Sequence, residues 1–173
     1  MEATEITTQM TLCGGPLPDL EVPMINSMVT CLSLEHRRLD EQNMRLAFAA
    51  TRLAGDPHAM TAHRQAIEAW DEIQRGLWSH LQIEDELVLS WGLAHQAISD
   101  TMVEALKAEH QKMRELVAAL PVWSSEADSE PPTVQDRANF AQTLLALART
   151  LDSHVERHEG EILPSILRAL FRE

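Results

Sequence analysis

Tyrosine is absent from this 173-residue chain, and aromatic residues make up only 4% of it. With so few aromatics and so much Ala, Leu, Met, Glu, Gln and Arg, the composition favours helix over strand. Cysteine is nearly as scarce. Cys13 and Cys31 are the only two, with neither a C-x-x-C nor a paired spacing, which excludes a disulfide framework and a thiolate metal site. The first residues, Met1-Glu2-Ala3-Thr4-Glu5, have no basic stretch followed by an apolar one, so a secretory signal is not expected. No apolar run approaches bilayer length. A cytoplasmic protein with reduced thiols is the simplest expectation. Positive charge is also short: 14 Lys and Arg against 27 Asp and Glu give −13, which argues against nucleic acid or an anionic membrane as partner. Zinc-protease, Walker A and dinucleotide glycine motifs are missing as well.

What the chain does have is helical periodicity. A length of 173 residues suits one domain with a real core. Residues 1–22 read as an N-terminal arm, broken by Cys13-Gly14-Gly15-Pro16 and Pro18. Residues 23–173 read as a bundle. A first helix, about 23–54, carries Ile25, Met28, Leu32, His36, Leu39, Asn43, Leu46, Ala50 and Leu53 at alternating spacings of three and four. A second, about 58–91, carries His63, Ala66, Trp70, Ile73, Leu77, His80, Glu84 and Leu87. A third, about 96–120, carries Ser99, Met102, Leu106, His110, Met113, Val117 and Leu120, and Pro121 ends it. A loop rich in Ser, Glu, Asp and Pro precedes the fourth, where Thr133 and Asp136 resemble a capping box. This helix carries Phe140, Leu144, Leu147, Leu151, His154, His158 and Ile162, and Pro164 should kink or interrupt it. The expected fold is all-α, an antiparallel up-down-up-down four-helix bundle.

Each expected helix places a histidine in its apolar stripe: His36, His80, His110 and His154. Counted from the helix ends at 1.5 Å per residue, antiparallel packing brings them to one level within about a turn. Glu84 stands four residues after His80 and Glu159 five after His154. Imidazoles and carboxylates buried together are costly unless something organises them, and a divalent cation does so. Iron or manganese suits such a mixed nitrogen and oxygen set. A ferritin-like centre is excluded, because no histidine has a glutamate three residues before it.

These pieces resemble the hemerythrin-like, or HHE cation-binding, domain family. The match rests on Leu34-Glu35-His36-Arg37-Arg38-Leu39, His80-Leu81-Gln82-Ile83-Glu84, Ala108-Glu109-His110-Gln111-Lys112-Met113-Arg114, and His154-Val155-Glu156-Arg157-His158-Glu159 running to Leu163-Pro164. The resemblance implies two iron ions, cycling between Fe2+ and Fe3+ with an oxo or hydroxo bridge. It assigns His36 and His80 to one ion and His110 and His154 to the other, with Glu84 and an acid of the fourth helix bridging. It also implies dioxygen or a similar small diatomic as ligand, for carriage, storage or sensing. Alternatives within the same resemblance are an iron-dependent protein of oxidative or nitrosative stress and iron repair, and a regulatory bundle with a structural metal.

Two positions depart from the pattern. Oxygen-carrying hemerythrins have a second histidine one turn from the first on the third helix, where Leu106 or Arg114 stands here. Many HHE domains place a glutamate four residues after the fourth helix's histidine, where His158 stands. The expectation is that His158 supplies the missing imidazole while Glu159 bridges, since His154 and His158 share one helix face. His63, about 17 residues and roughly 25 Å from His80, reads as a capped or partly exposed seam residue. His58 and His95 read as solvated turn residues, and Met113, Leu32 and Leu106 as lining an apolar pocket beside the metals. Asn43 reads as a hydrogen-bond donor beside the site or a register device.

Overall fold

The computed structural model describes residues 18–121 and 132–171, with side chains from residue 23 onward. The described residues form four helical rods. The first is α1 (Pro18–Gly55). The second runs from α2 (Met60–Ile83) through a π-helical turn (Glu84–Val88) into α3 (Leu89–Ala94). The third is α4 (Asp100–Ala118). The fourth runs from α5 (Val134–Arg157) through a second π-helical turn (His158–Ile162) into α6 (Leu163–Leu170). α1 packs on both α2 and α5, and α4 packs on α5.

Two apolar clusters fill the interior, and the order in which the chain visits them gives the topology. α1 passes from one cluster (Ile25, Val29, Leu32) to the other (Leu46, Ala50, Leu53). The second rod returns, from Ala66, Ile73 and Leu77 to Val88 and Leu89. α4 climbs again from Val103 and Leu106 to Met113, and the fourth rod descends from Phe140, Leu144 and Leu147 to Ile162 and Ile166. Each rod therefore crosses the same boundary once, in alternating directions. That is the antiparallel up-down-up-down bundle which the three-four stripes demand.

Several boundaries differ from the sequence reading. α1 begins at Pro18, where proline's fixed φ suits a first helical position, and Pro23 lies inside the helix. Residues 18–22 of the expected arm are thus helical, while residues 1–17 lie outside the described residues. The third helix starts later than expected. Ser99 is not a seam residue but its N-cap, its hydroxyl accepting from the Met102 N–H. The turn before it passes through Gln96 at φ 53°. Gly92 lets the chain close there, since a Cβ at that position would stand 2.9 Å from the Ile98 side chain.

The two π-helical turns are the largest local departure. Each holds one more residue per turn than an α-helix, so the stripe beyond it shifts by one position. Leu87, assigned to the second stripe, is exposed, and Val88 and Leu89 are buried in its place. The second turn is followed by Pro164 at the start of α6, where its missing N–H is harmless.

The capping box at Thr133 forms as expected: its hydroxyl accepts from the Asp136 N–H, and the Asp136 carboxylate accepts from the Thr133 N–H. Replacing Thr133 with alanine should lower stability by about 1 kcal/mol, read as a shift of the denaturant midpoint without a change in slope.

Candidate metal centre

Where the rods cross between the two apolar clusters, six polar side chains meet in a buried layer. His36 comes from α1, His80 from the last turn of α2, His110 from α4 and His154 from the last turn of α5. Glu84 and His158 are the first residues of the two π-helical turns. Glu84, His36, His110, His154 and His158 are completely buried, and His80 nearly so. Neighbouring imidazole rings stand close: centroids are 4.8 Å apart for His36 and His80, 5.1 Å for His110 and His154, and 4.6 Å for His154 and His158.

The single carboxylate of Glu84 sits at the middle. Its Oε1 lies 3.0 Å from His36 Nε2, 3.2 Å from His80 Nε2 and 3.1 Å from His158 Nδ1. Its Oε2 lies 3.3 Å from His110 Nε2 and 3.2 Å from His154 Nε2. Two overlapping donor groups result. His36, His80, Glu84 and His154 form one, Glu84, His110, His154 and His158 the other, with the donor atoms of each within 4.8 Å of one another.

A second ring of acids surrounds the imidazoles. Glu35 lies 3.0 Å from His80 Nδ1, Asp85 2.8 Å from His110 Nδ1 and Glu159 2.8 Å from His36 Nδ1. Glu109 stands 3.9 Å from His154 Nδ1. Each acid is a sequence neighbour of a residue in the central layer, yet it reaches the histidine of another rod. Arg114 donates to Asp85 and Arg157 pairs with Glu109, which ties both acids in place. An acid that accepts from Nδ1–H fixes the tautomer and leaves the Nε2 lone pair facing inward.

The consequence is a convergence of acceptors. Among the described residues, His80 Nε2, Glu84 Oε2, His110 Nε2, His154 Nε2 and both nitrogens of His158 have no hydrogen-bond partner, although all are buried. Unpartnered buried polar atoms are rare in folded proteins and call for an explanation. Filling the layer with protons is opposed by burial. It pushes His158 down to about 3, helped by the neighbouring charges of His154, His36 and His110 and resisted by Glu84. Burial lowers His154 as well, against the pull of Glu84. For Glu84 burial acts upward, but the imidazoles of His110, His154, His36 and His80 crowded around it outweigh that and hold the carboxyl well below the usual range. A carboxylate ringed by imidazoles is the donor set of a cation site, and the residues present fit one.

The family model described as the hemerythrin HHE cation binding domain matches residues 27–166. The chain belongs to that family. No curated protein and no solved structure matches it.

Of the residues that the sequence singled out, this hemerythrin-type bundle brings His36, His80, Glu84, His110, His154 and His158 together and leaves Glu159 outside. Glu159 is half-exposed, and its carboxylate accepts from the Ser33 hydroxyl and faces the outer nitrogen of His36. The physical reason is that the His158 ring already faces inward, one turn from His154, so the next residue in the chain leaves toward the outer face. Sequence reasoning missed the outer acids Glu35, Asp85 and Glu109, although each adjoins a histidine or Glu84 in the chain. His63 was expected to be capped or partly exposed, but it is buried edge-on to Phe140. His58 and His95 are exposed at turns, and His95 stacks on Trp91. Asn43 donates to the Ala148 carbonyl at 2.9 Å and so ties α1 to α5 rather than serving the site. Leu32, Leu106 and Met113 are fully buried in the two clusters that flank the layer.

Two outcomes follow from this geometry. Asp85→Asn should weaken divalent-metal affinity roughly 10–100-fold while helix content is unchanged, measured by competition with a chromophoric chelator. The metal-free protein should lose stability as pH falls below 6.5, the ordinary histidine value. Between 6.5 and about 3 the unfolded chain protonates His158 and the folded one does not. This residue alone then contributes a slope of up to about 1.4 kcal/mol per pH unit. Glu84 and His154 act in the same direction. His80 opposes them: burial pushes it down, but Glu84 and Glu35 hold it above its ordinary value, so its contribution is lost as pH rises. Urea midpoints of metal-free protein across this range check the sign.

Proposed function

We propose that this chain is a non-haem di-iron protein that binds dioxygen, or a similar small diatomic, for carriage, storage or sensing. His36 and His80 hold one iron, His110 and His158 the other, and Glu84 and His154 lie between them. The observation that carries the reading is the set of unpartnered nitrogen and oxygen atoms in a fully buried layer, five imidazoles around one carboxylate. Iron, when bound, supplies the electrons for reversible dioxygen binding. The chain's own residues do the rest. The outer acids orient the rings, Glu84 balances charge, and Leu32, Leu106 and Met113 keep water from the layer.

His158 stands where many HHE domains have a glutamate, which makes the donor set richer in nitrogen and leaves Glu84 as the one carboxylate in the layer among the described residues. A neutral imidazole in place of an anion disfavours the ferric state, because less negative charge faces the ions. That feature supports binding and release over irreversible oxidation, and hence a binding protein over an enzyme.

Anaerobic protein loaded with ferrous iron should contain two irons per chain and change its optical spectrum when exposed to oxygen. Removal of oxygen should reverse the change over several cycles. Prompt oxidation that a vacuum does not reverse would favour a stress-response or repair role, and metal-free protein that neither takes up iron nor alters its stability with it would sink the reading. His158→Leu should reduce the iron count toward one. An unchanged count and spectrum would remove His158 from the ligand set.

A further inference from the structure

Of the imidazoles in the layer, only His80 has any side-chain exposure, 4% against 0% for His36, His110, His154 and His158. Its exposed edge forms the floor of a cavity of about 320 Å³ between α1 and α2, walled by Glu35, Arg38, Gln42, Arg75, Gly76 and Ser79. Gly76 opens this wall: a Cβ built there meets no atom within 4 Å. Leu39 and Glu72 also line the cavity, so among the described residues polar and charged side chains outnumber apolar ones there, which suits a hydrated solute.

The acid at the inner end is also the loosest of the outer ring. Asp85 and Glu109 are held by arginines, and Glu159 by Ser33. Glu35 has His80 as its only hydrogen-bond partner among the described residues and is the most exposed of the four, at 49%. A groove between α4 and α5 offers a comparison. It is lined by Glu109, which Arg157 pins, and among the described residues no histidine lines it.

We infer that the groove between α1 and α2 is the port through which a hydrated divalent cation enters and leaves the buried layer, with Glu35 receiving the ion beside His80. The inference rests on the metal-centre reading above. In the resting protein the Glu35 carboxylate closes the inner end by its hydrogen bond to His80. Swinging outward, it exchanges that bond for an oxygen ligand to the incoming ion, which then passes to the inward nitrogens.

Cobalt(II) is a suitable probe, because its visible absorption reports coordination without any oxygen chemistry. Stopped-flow uptake of Co2+ and its removal by dipicolinate would be compared for wild type, Gly76→Trp and Ser153→Trp. Gly76 is exposed with open space above it, so tryptophan fills the groove and leaves the core untouched; Ser153 is an exposed residue in the α4–α5 groove. Gly76→Trp should slow both uptake and removal roughly tenfold or more at an unchanged final cobalt content, while Ser153→Trp stays within about twofold of wild type. Equal rates for Gly76→Trp and wild type would overturn the port alone. So would equal slowing by both variants, or a changed end point in Gly76→Trp. Wild-type protein that binds no cobalt in the layer would overturn the metal centre itself.

Discussion

Everything in this bundle is arranged around one buried anion. Glu84 is fully enclosed, and its two oxygens face five imidazole nitrogens at 3.0–3.3 Å. A carboxylate alone in an apolar core would simply take up a proton, because desolvation favours its neutral form. Here the surrounding rings reverse that outcome, and burial in turn keeps His154 and His158 from charging. The layer is therefore negative at its middle and rich in unpartnered nitrogen atoms. A cation relieves the mismatch. Membership of the hemerythrin HHE cation-binding family fits that chemistry.

Holding such a layer requires rigid walls. Apolar clusters above and below supply them, and every rod runs from one cluster to the other through the polar level. The outer acids add a lateral constraint. Glu35, Asp85, Glu109 and Glu159 each reach from one rod to the imidazole of another, so the ring of contacts also ties the rods together. Fixing ring orientation from outside leaves the inner nitrogens preorganised. The same contacts explain why the site is closed almost everywhere, and why the weakly held Glu35 marks its exposed edge.

The π-helical turns connect local backbone to site chemistry. Both begin on a residue of the central layer, Glu84 in one rod and His158 in the other. An extra residue in the turn widens the helix and sends successive side chains in directions an α-helix does not offer. Glu84 and Asp85 thus face the two different nitrogens of the His110 ring, while His158 packs its ring against His36 and Glu159 reaches the Nδ1 of His36. The family spacing that suggests Glu159 as a bridge counts five residues from His154, and here that position brings the carboxylate to the outer nitrogen of His36. The exposure of Leu87 follows from the first of the two turns.

The sequence by itself determined the four rods, their alternating directions and the common level of the histidines, because apolar spacing of three and four has one helical meaning and helix lengths fix height. It also singled out His158 by its position one turn after His154. Tertiary structure alone decided which nitrogens face inward, which acids stand behind them, and that Glu159 stays outside. Those outcomes depend on where neighbouring rods place their side chains and on two irregular turns, and neither is encoded in the periodicity of a single helix. The acids adjoining each histidine were visible in the chain, but their partners lie on other rods, where only packing could bring them.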